Sequence, residues 1–294
     1  VSALTRILVV SGLIPIDSGK TWFTLGLADA LRSVGLSVGV YKPVAAHNLW
    51  FNPRTLYRSS ALGVLAGNDI LAYYDREVVS DIARANPIAL ALAPRDLLTT
   101  SSVDEYLESF ENLSKILVLA RITQCSSGSV EHLVIRENLE KTPPILRRRI
   151  EELARDLGCR DSSVSEVLGY LRSNESTRNL EECLNILARS VDVVVVESFN
   201  DAVVPFSSLL EELSYLIIVT PGYALLYTDR DLVKDAVNKV TRDLGDEGYR
   251  AKYLVERVKP SRVLYTEILV EPTTSSVHLE LARSIAGSEV YKST

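Results

Sequence analysis

One stretch near the N-terminus has the spacing to do chemistry: Ser11-Gly12-Leu13-Ile14-Pro15-Ile16-Asp17-Ser18-Gly19-Lys20-Thr21. A glycine-lysine-threonine triplet that follows a buried strand and opens a helix is the pattern of a phosphate-binding loop. The backbone N–H groups of such a loop converge on one spot, and the helix dipole favours an anion there. Gly19 lets the main chain approach phosphates closely. Lys20 would reach the β- and γ-phosphates of ATP, and the Thr21 hydroxyl would ligate Mg2+. The nucleotide-contacting segment is therefore expected to run Asp17, Ser18, Gly19, Lys20, Thr21, Trp22. The usual spacing places a glycine five residues before Gly19, where this chain has Ile14; Gly12 lies two residues earlier, so the loop is longer. A second signal is Glu197, which closes four consecutive valines, Val193 to Val196. A carboxylate at the C-terminal end of a buried parallel strand sits where ligands bind in open α/β sheets, and it could face the metal. The plainer alternatives are a chance triplet at a helix start and an exposed strand end.

Elements must bring these residues together. Ile7 to Val10 is a short apolar run, as expected of a strand buried on both faces. A helix from about Thr21 has Leu27, Leu31 and Val34 on one face, and Gly35 as its stop. Val38 to Tyr41 reads as a second strand, ended by Lys42-Pro43 because proline cannot continue a central strand. Residues 53–85 read as helical with a break near Gly67. Ile88 to Ala93, Lys115 to Ala120, Asp192 to Glu197 and Leu216 to Val219 read as strands. Leu146, Ile150, Leu153 and Leu157 mark a helix ended by Gly158. A helix near 229–243, strands near 250–256 and 262–270, and a helix near 276–285 complete the chain. Alternating strands and helices predict an α/β fold, a three-layer P-loop sandwich with a mainly parallel central sheet. The expectation is one domain over residues 1–294, with 121–190 as an insertion or subdomain.

Composition sets the outer bounds. The chain has 294 residues, 47% hydrophobic and 24% charged, an ordinary globular balance that excludes disorder. A net charge of −6 disfavours non-specific binding to nucleic acid or anionic membranes. No apolar run reaches membrane-span length. Cys125, Cys159 and Cys183 are odd in number and far apart, which reads as a reduced, cytoplasmic chain without a disulfide or zinc site. A single glutamine among many charged residues leans towards a thermophile. Methionine is absent.

The blocks Ser-Gly…Gly-Lys-Thr, Val40-Tyr41-Lys42-Pro43-Val44-Ala45, Gly67-Asn68-Asp69-Ile70-Leu71, Asn86-Pro87 and Val194-Val195-Val196-Glu197 resemble, in that order, those of dethiobiotin synthetase and its relatives, the cobyrinic acid amide synthases. The resemblance covers about residues 5–100 and 188–222. It implies that Lys20 binds the β/γ-phosphates and that Thr21, Asp69 and Glu197 hold Mg2+, directly or through water. It implies that Lys42 faces the γ-phosphate and holds a carboxylate or carbamate acceptor. Phosphoryl transfer to a carboxylate brings two anions together, and a metal on one side with an ammonium on the other would offset their repulsion. Relatives often pair two sandwiches across the active site, so the resemblance also implies a homodimer. Read alone, Asp69 is a helix cap and Lys42 a solvated lysine. The turn Ser198-Phe199-Asn200-Asp201 stands where the family has a glycine-rich turn, which should change the acceptor that fits.

Three activities remain in view. The first is an ATP- and Mg2+-dependent ligase acting on a small-molecule carboxylate and an amine. The second is a nucleotide-hydrolysing switch acting on a protein partner, and the third is a small-molecule or polynucleotide kinase. His47, His132 and His278 have no metal spacing, although His47 could line the acceptor site. Arg147-Arg148-Arg149 reads as a solvated helix face paired with Glu151 and Glu152. Asn238-Lys239-Val240-Thr241 lacks the aspartate that would read a guanine base.

Overall fold

The computed structural model describes residues 5–15 and 17–287, so Ile16 of the loop lies outside the described residues. The chain is α/β, with two sheets. Its strands are β1 (Arg6–Gly12), β2 (Val38–Tyr41), β3 (Val44–Asn48), β4 (Ile88–Leu92), β5 (Leu117–Gln124), β6 (Ser129–Ile135), β7 (Arg160–Ser162), β8 (Val193–Glu197), β9 (Tyr215–Thr220), β10 (Tyr223–Tyr227) and β11 (Arg262–Tyr265). The helices of its first half are α1 (Lys20–Ser33), α2 (Arg54–Leu62), α3 (Asn68–Asp75), α4 (Ile82–Ala85), α5 (Val103–Ser109), α6 (Leu113–Ile116) and α7 (Arg136–Leu139). Those of its second half are α8 (Pro144–Asp156), α9 (Val164–Leu171), α10 (Asn174–Ala188), α11 (Leu209–Glu212), α12 (Arg230–Leu244), α13 (Ala251–Arg257) and α14 (Ser276–Gly287).

The chain forms two compact units. The first takes residues up to Pro43, Arg76–Val79 and Asn185 onward. Its six-stranded sheet has the order β11-β10-β9-β1-β8-β2. The strands β9, β1, β8 and β2 run parallel, and β10 and β11 continue the sheet as antiparallel neighbours. Leu8, Val9 and Val10 of β1 and all four valines of β8 are fully buried, which explains their unbroken apolar runs. The helix α1 packs over β1, β8 and β2, and α14 lies against α1. Ser33 ends α1, and Gly35 follows in the left-handed region at φ 90° with its N–H on the Arg32 carbonyl.

The second unit takes Val44–Asp75 and Ser80–Leu184. The segment expected as an insertion, 121–190, falls mostly within it, together with 44–75 and 80–120. Its sheet has the order β3-β4-β5-β6-β7 and mixes parallel and antiparallel pairs. The helices α2 and α8 pack together, and Leu56, Ala91, Leu119, Val134, Ile150 and Leu153 share one core.

Several expectations need correction. Residues 251–257 form α13 rather than a strand; Ala251, Leu254 and Val258 are the buried positions, a helical stripe. The strand expected over 262–270 is only β11. Pro221-Gly222 does not merely end β9; it turns the chain into β10, with Tyr223 paired to Thr220. Of the polar segment, Ser126 to Gly128 lie in the turn of a hairpin between β5 and β6, and Ser129 opens β6. The reading of a chain without disulfides also fails. Cys125, just after β5, is bonded to Cys183 on α10, and both are buried. Sequence separation, here 58 residues, says nothing about proximity when a strand end and a helix face meet in space.

Candidate functional site

The site residues that gather in the first unit lie at the C-terminal ends of its parallel strands. The strand β1 ends at Gly12, and the loop then leads to Lys20, the first residue of α1. Leu13 donates its N–H to the Val219 carbonyl on β9 at 3.0 Å, and the Ser11 hydroxyl donates to the Ala202 carbonyl at 2.6 Å. Asp17 and Gly19 both take left-handed backbone angles, φ 55° and 88°, and curl the chain into the helix. No side chain caps α1, and its first turn carries no acid. The positive end of its dipole is thus left uncompensated by an acidic side chain of that turn.

Lys20 folds back into the loop. Its Nζ donates to Ser18 Oγ at 3.1 Å, and both side chains are buried. A Cβ at position 12 would lie 2.5 Å from Ser18 Oγ and 2.8 Å from Lys20 Nζ, so a side chain there would push both groups from their present places. Gly12 therefore supplies the close approach that the Gly19-based spacing left unassigned. Asp17 and Trp22 face outward, Trp22 being 41% exposed.

Strand order brings the other residues in. Glu197 pairs in register with Val10 on β1, and Val196 pairs with Tyr41 on β2. Lys42, the next residue after β2, consequently stands beside Glu197. Lys42 Nζ donates to Glu197 Oε1 at 2.5 Å, with side-chain exposures of 5% and 1%. The Thr21 hydroxyl donates to the same Oε1 at 3.2 Å. One carboxylate thus joins the loop's threonine to the lysine after β2. Lys42 is buried, which removes its reading as a solvated lysine. Burying both charges costs desolvation that only close pairing offsets.

The turn after β8 is fixed rather than open. Ser198 is buried and donates its N–H to the Val10 carbonyl at 2.9 Å. Asn200 has φ 48°, and Asp201 accepts from Arg250 Nε at 2.7 Å. That contact and the one to Glu247 raise the Arg250 pKa further above its ordinary value. The Asp201 carboxylate is held by the protein's own cation.

Asp69 and His47 belong to the second unit. Asp69 lies in the first turn of α3, where an acid suits the helix dipole. His47 lies on β3, buried, with its pKa lowered to about 4, mainly by loss of solvent; Asp69 acts in the opposite direction. The sequence did not disclose the direct Lys42–Glu197 contact. Its only trace was that both residues close apolar strands.

The oxygen pair of Thr21 and Glu197 suits a hard cation such as Mg2+, which keeps waters and substrate phosphates and needs only one or two protein ligands. Among the described residues no three His, Cys, Asp or Glu side chains cluster as a metal cage. No protein-family model, no curated protein and no solved structure matches the chain.

Proposed function

We propose that the first unit is a P-loop nucleotide site of the three-layer sandwich type, and that it uses Mg-ATP to phosphorylate a carboxylate or carbamate ahead of C–N bond formation. The observation that carries this reading is the convergence of Thr21 and Lys42 on Glu197 Oε1, beside a loop in which Lys20 lies over Gly12. On this reading the N–H groups at the start of α1 and the Lys20 ammonium bind the β- and γ-phosphates. Thr21 and Glu197 hold Mg2+, whose chemistry is to neutralise charge on the phosphate oxygens.

Lys42 then has two duties. Its contact with Glu197 fixes its position, and its ammonium orients the acceptor anion towards the γ-phosphorus. An acceptor oxygen forms the new O–P bond while the bond to the bridging oxygen of ADP breaks, and the electron pair leaves on ADP. An amine next attacks the activated carbonyl carbon, loses a proton and expels inorganic phosphate. Lys20 and Lys42 carry the catalytic roles, since both would touch reacting groups. The small-molecule acid and amine are the partners that this reaction requires.

The test is ADP release by the full chain with ATP and magnesium, with and without panels of small acids and diamines. The proposal expects release that depends on an added acid and leaves stoichiometric phosphate. Release independent of every acid, but stimulated by a protein partner, would instead make the chain a nucleotide-driven switch. Stable transfer of phosphate to a hydroxyl would make it a kinase.

A further inference from the structure

The second unit buries a cation that the proposed chemistry does not use. Arg121 on β5 is fully buried. It stands in a cross-strand row with Ala45, Ala89 and His132, and the neighbouring row holds His47 opposite Ala91. Side chains alternate along a strand, so Arg121, His132, His47 and Thr123 share one face with Ala45, Ala89 and Ala91, and the same face carries Leu119 and Val134 of the apolar core. The segment 65–67 covers part of that face. The Leu65 N–H donates to His132 Nε2 at 3.1 Å, and a Cβ at Gly67 would lie 3.0 Å from His47 Nδ1.

The guanidinium is only partly satisfied. Its Nη2 donates to the main-chain carbonyl and to the side-chain oxygen of Asn86. Its Nε and Nη1 meet no acceptor, and neither does the buried Thr123 hydroxyl. Among the described residues no carboxylate is in ion-pair contact with Arg121; burial lowers its pKa to about 9, and the exposed Asp81 opposes that only from a distance. A buried guanidinium keeps its proton, and N–H groups of a buried charge left without acceptors are among the costliest features a fold can hold. Burial, with Arg121 nearby, lowers His132 to about 4, and His47 is likewise near 4, so both rings are neutral beside the cation.

We propose that Arg121 anchors a binding site for a small oxyanion, a carboxylate or phosphate group, within the second unit. Arg121 Nε and Nη1 supply the charge-assisted hydrogen bonds and the Thr123 hydroxyl a further donor. Ala45 and Ala89 stand in the Arg121 row, and the His132 and His47 imidazoles lie on the same face. The proposal is independent of the nucleotide reading.

Imidazole proton NMR of the full chain tests it, because the chain has only three histidines and His278 belongs to the first unit. Inorganic phosphate and succinate are titrated separately into the wild type, Lys20→Ala and Arg121→Met. The expected result is a saturable shift of the His47 and His132 signals, with raised ring pKa values, in the wild type and in Lys20→Ala alike. The anion that produces it distinguishes a phosphate from a carboxylate ligand. Arg121→Met should weaken binding by about tenfold or more. If that variant does not fold, Arg121→Lys replaces it and should show the same direction. Silent His47 and His132 signals with both anions would overturn the proposal. So would shifts that vanish in Lys20→Ala, which would report the phosphate loop, or shifts that survive Arg121→Met.

Discussion

At the scale of single residues, Glu197 is the joint of the site. It is buried, and its Oε1 accepts from both Thr21 and Lys42. Removing one member of a buried ion pair leaves the other uncompensated, so Lys42→Met should destabilise the fold by about 3–5 kcal/mol. The double variant Lys42→Met/Glu197→Leu should recover much of that loss, and a urea-denaturation double-mutant cycle measures both effects. Glu197→Gln also leaves the Lys42 ammonium without its partner charge, so it should destabilise in the same direction and, in the protein that remains folded, lower Mg2+-dependent ADP release. The histidines give a pH dependence. Burial holds His47, His132 and His278 near 4, below the unfolded value of about 6.5. The fold accepts the neutral ring, so this contribution to stability is complete above about pH 6.5 and is lost as pH falls towards 4. Urea midpoints should therefore drop between pH 7 and pH 5, and His47→Gln should flatten that slope. The placement of Ser18, Gly19 and Lys20 between a buried strand and the start of α1 was legible in the sequence because strand, loop and helix follow one another locally. The Lys42–Glu197 contact was not, because it depends on β8 lying between β1 and β2.

At the scale of elements, the buried strands were legible as unbroken apolar runs, and α1, α8 and α12 as periodic stripes. The failures have physical causes. Tyr223 to Tyr227 lies directly behind Pro221-Gly222, and a two-residue hairpin turn looks in sequence like a simple strand end. Residues 250–256 are short enough for a helical stripe and a strand to share the same apolar count. The disulfide was invisible because its cysteines meet only after β5 and α10 have packed. Closing a loop across 58 residues should stabilise the protein by about 4 kcal/mol, so Cys125→Ala/Cys183→Ala should lower the urea midpoint accordingly. The remaining cysteine, Cys159, is raised to about 11 by burial. It should react slowly with iodoacetamide at pH 8 in the folded chain and quickly once the chain is unfolded.

At the scale of the whole molecule, two units share one chain, and their segments interleave. Arg76–Val79 belongs to the first unit although its neighbours on both sides belong to the second. No compositional shift marks such a boundary, which is why the sequence suggested only a looser region over 121–190. Among the described residues no helix is long and apolar enough to cross a membrane. Separate cores predict separable responses in calorimetry. Mg-ATP should raise the transition of the first unit by mass action, and reduction of Cys125–Cys183 should lower that of the second. If the loop before Lys20 wraps a triphosphate, as proposed, calorimetric titration of Mg-ATP into the wild type and Lys20→Ala will register it. Saturable, magnesium-dependent binding that falls by about tenfold or more in the variant is expected. Equal affinity in the two proteins, or no binding by either, would contradict it.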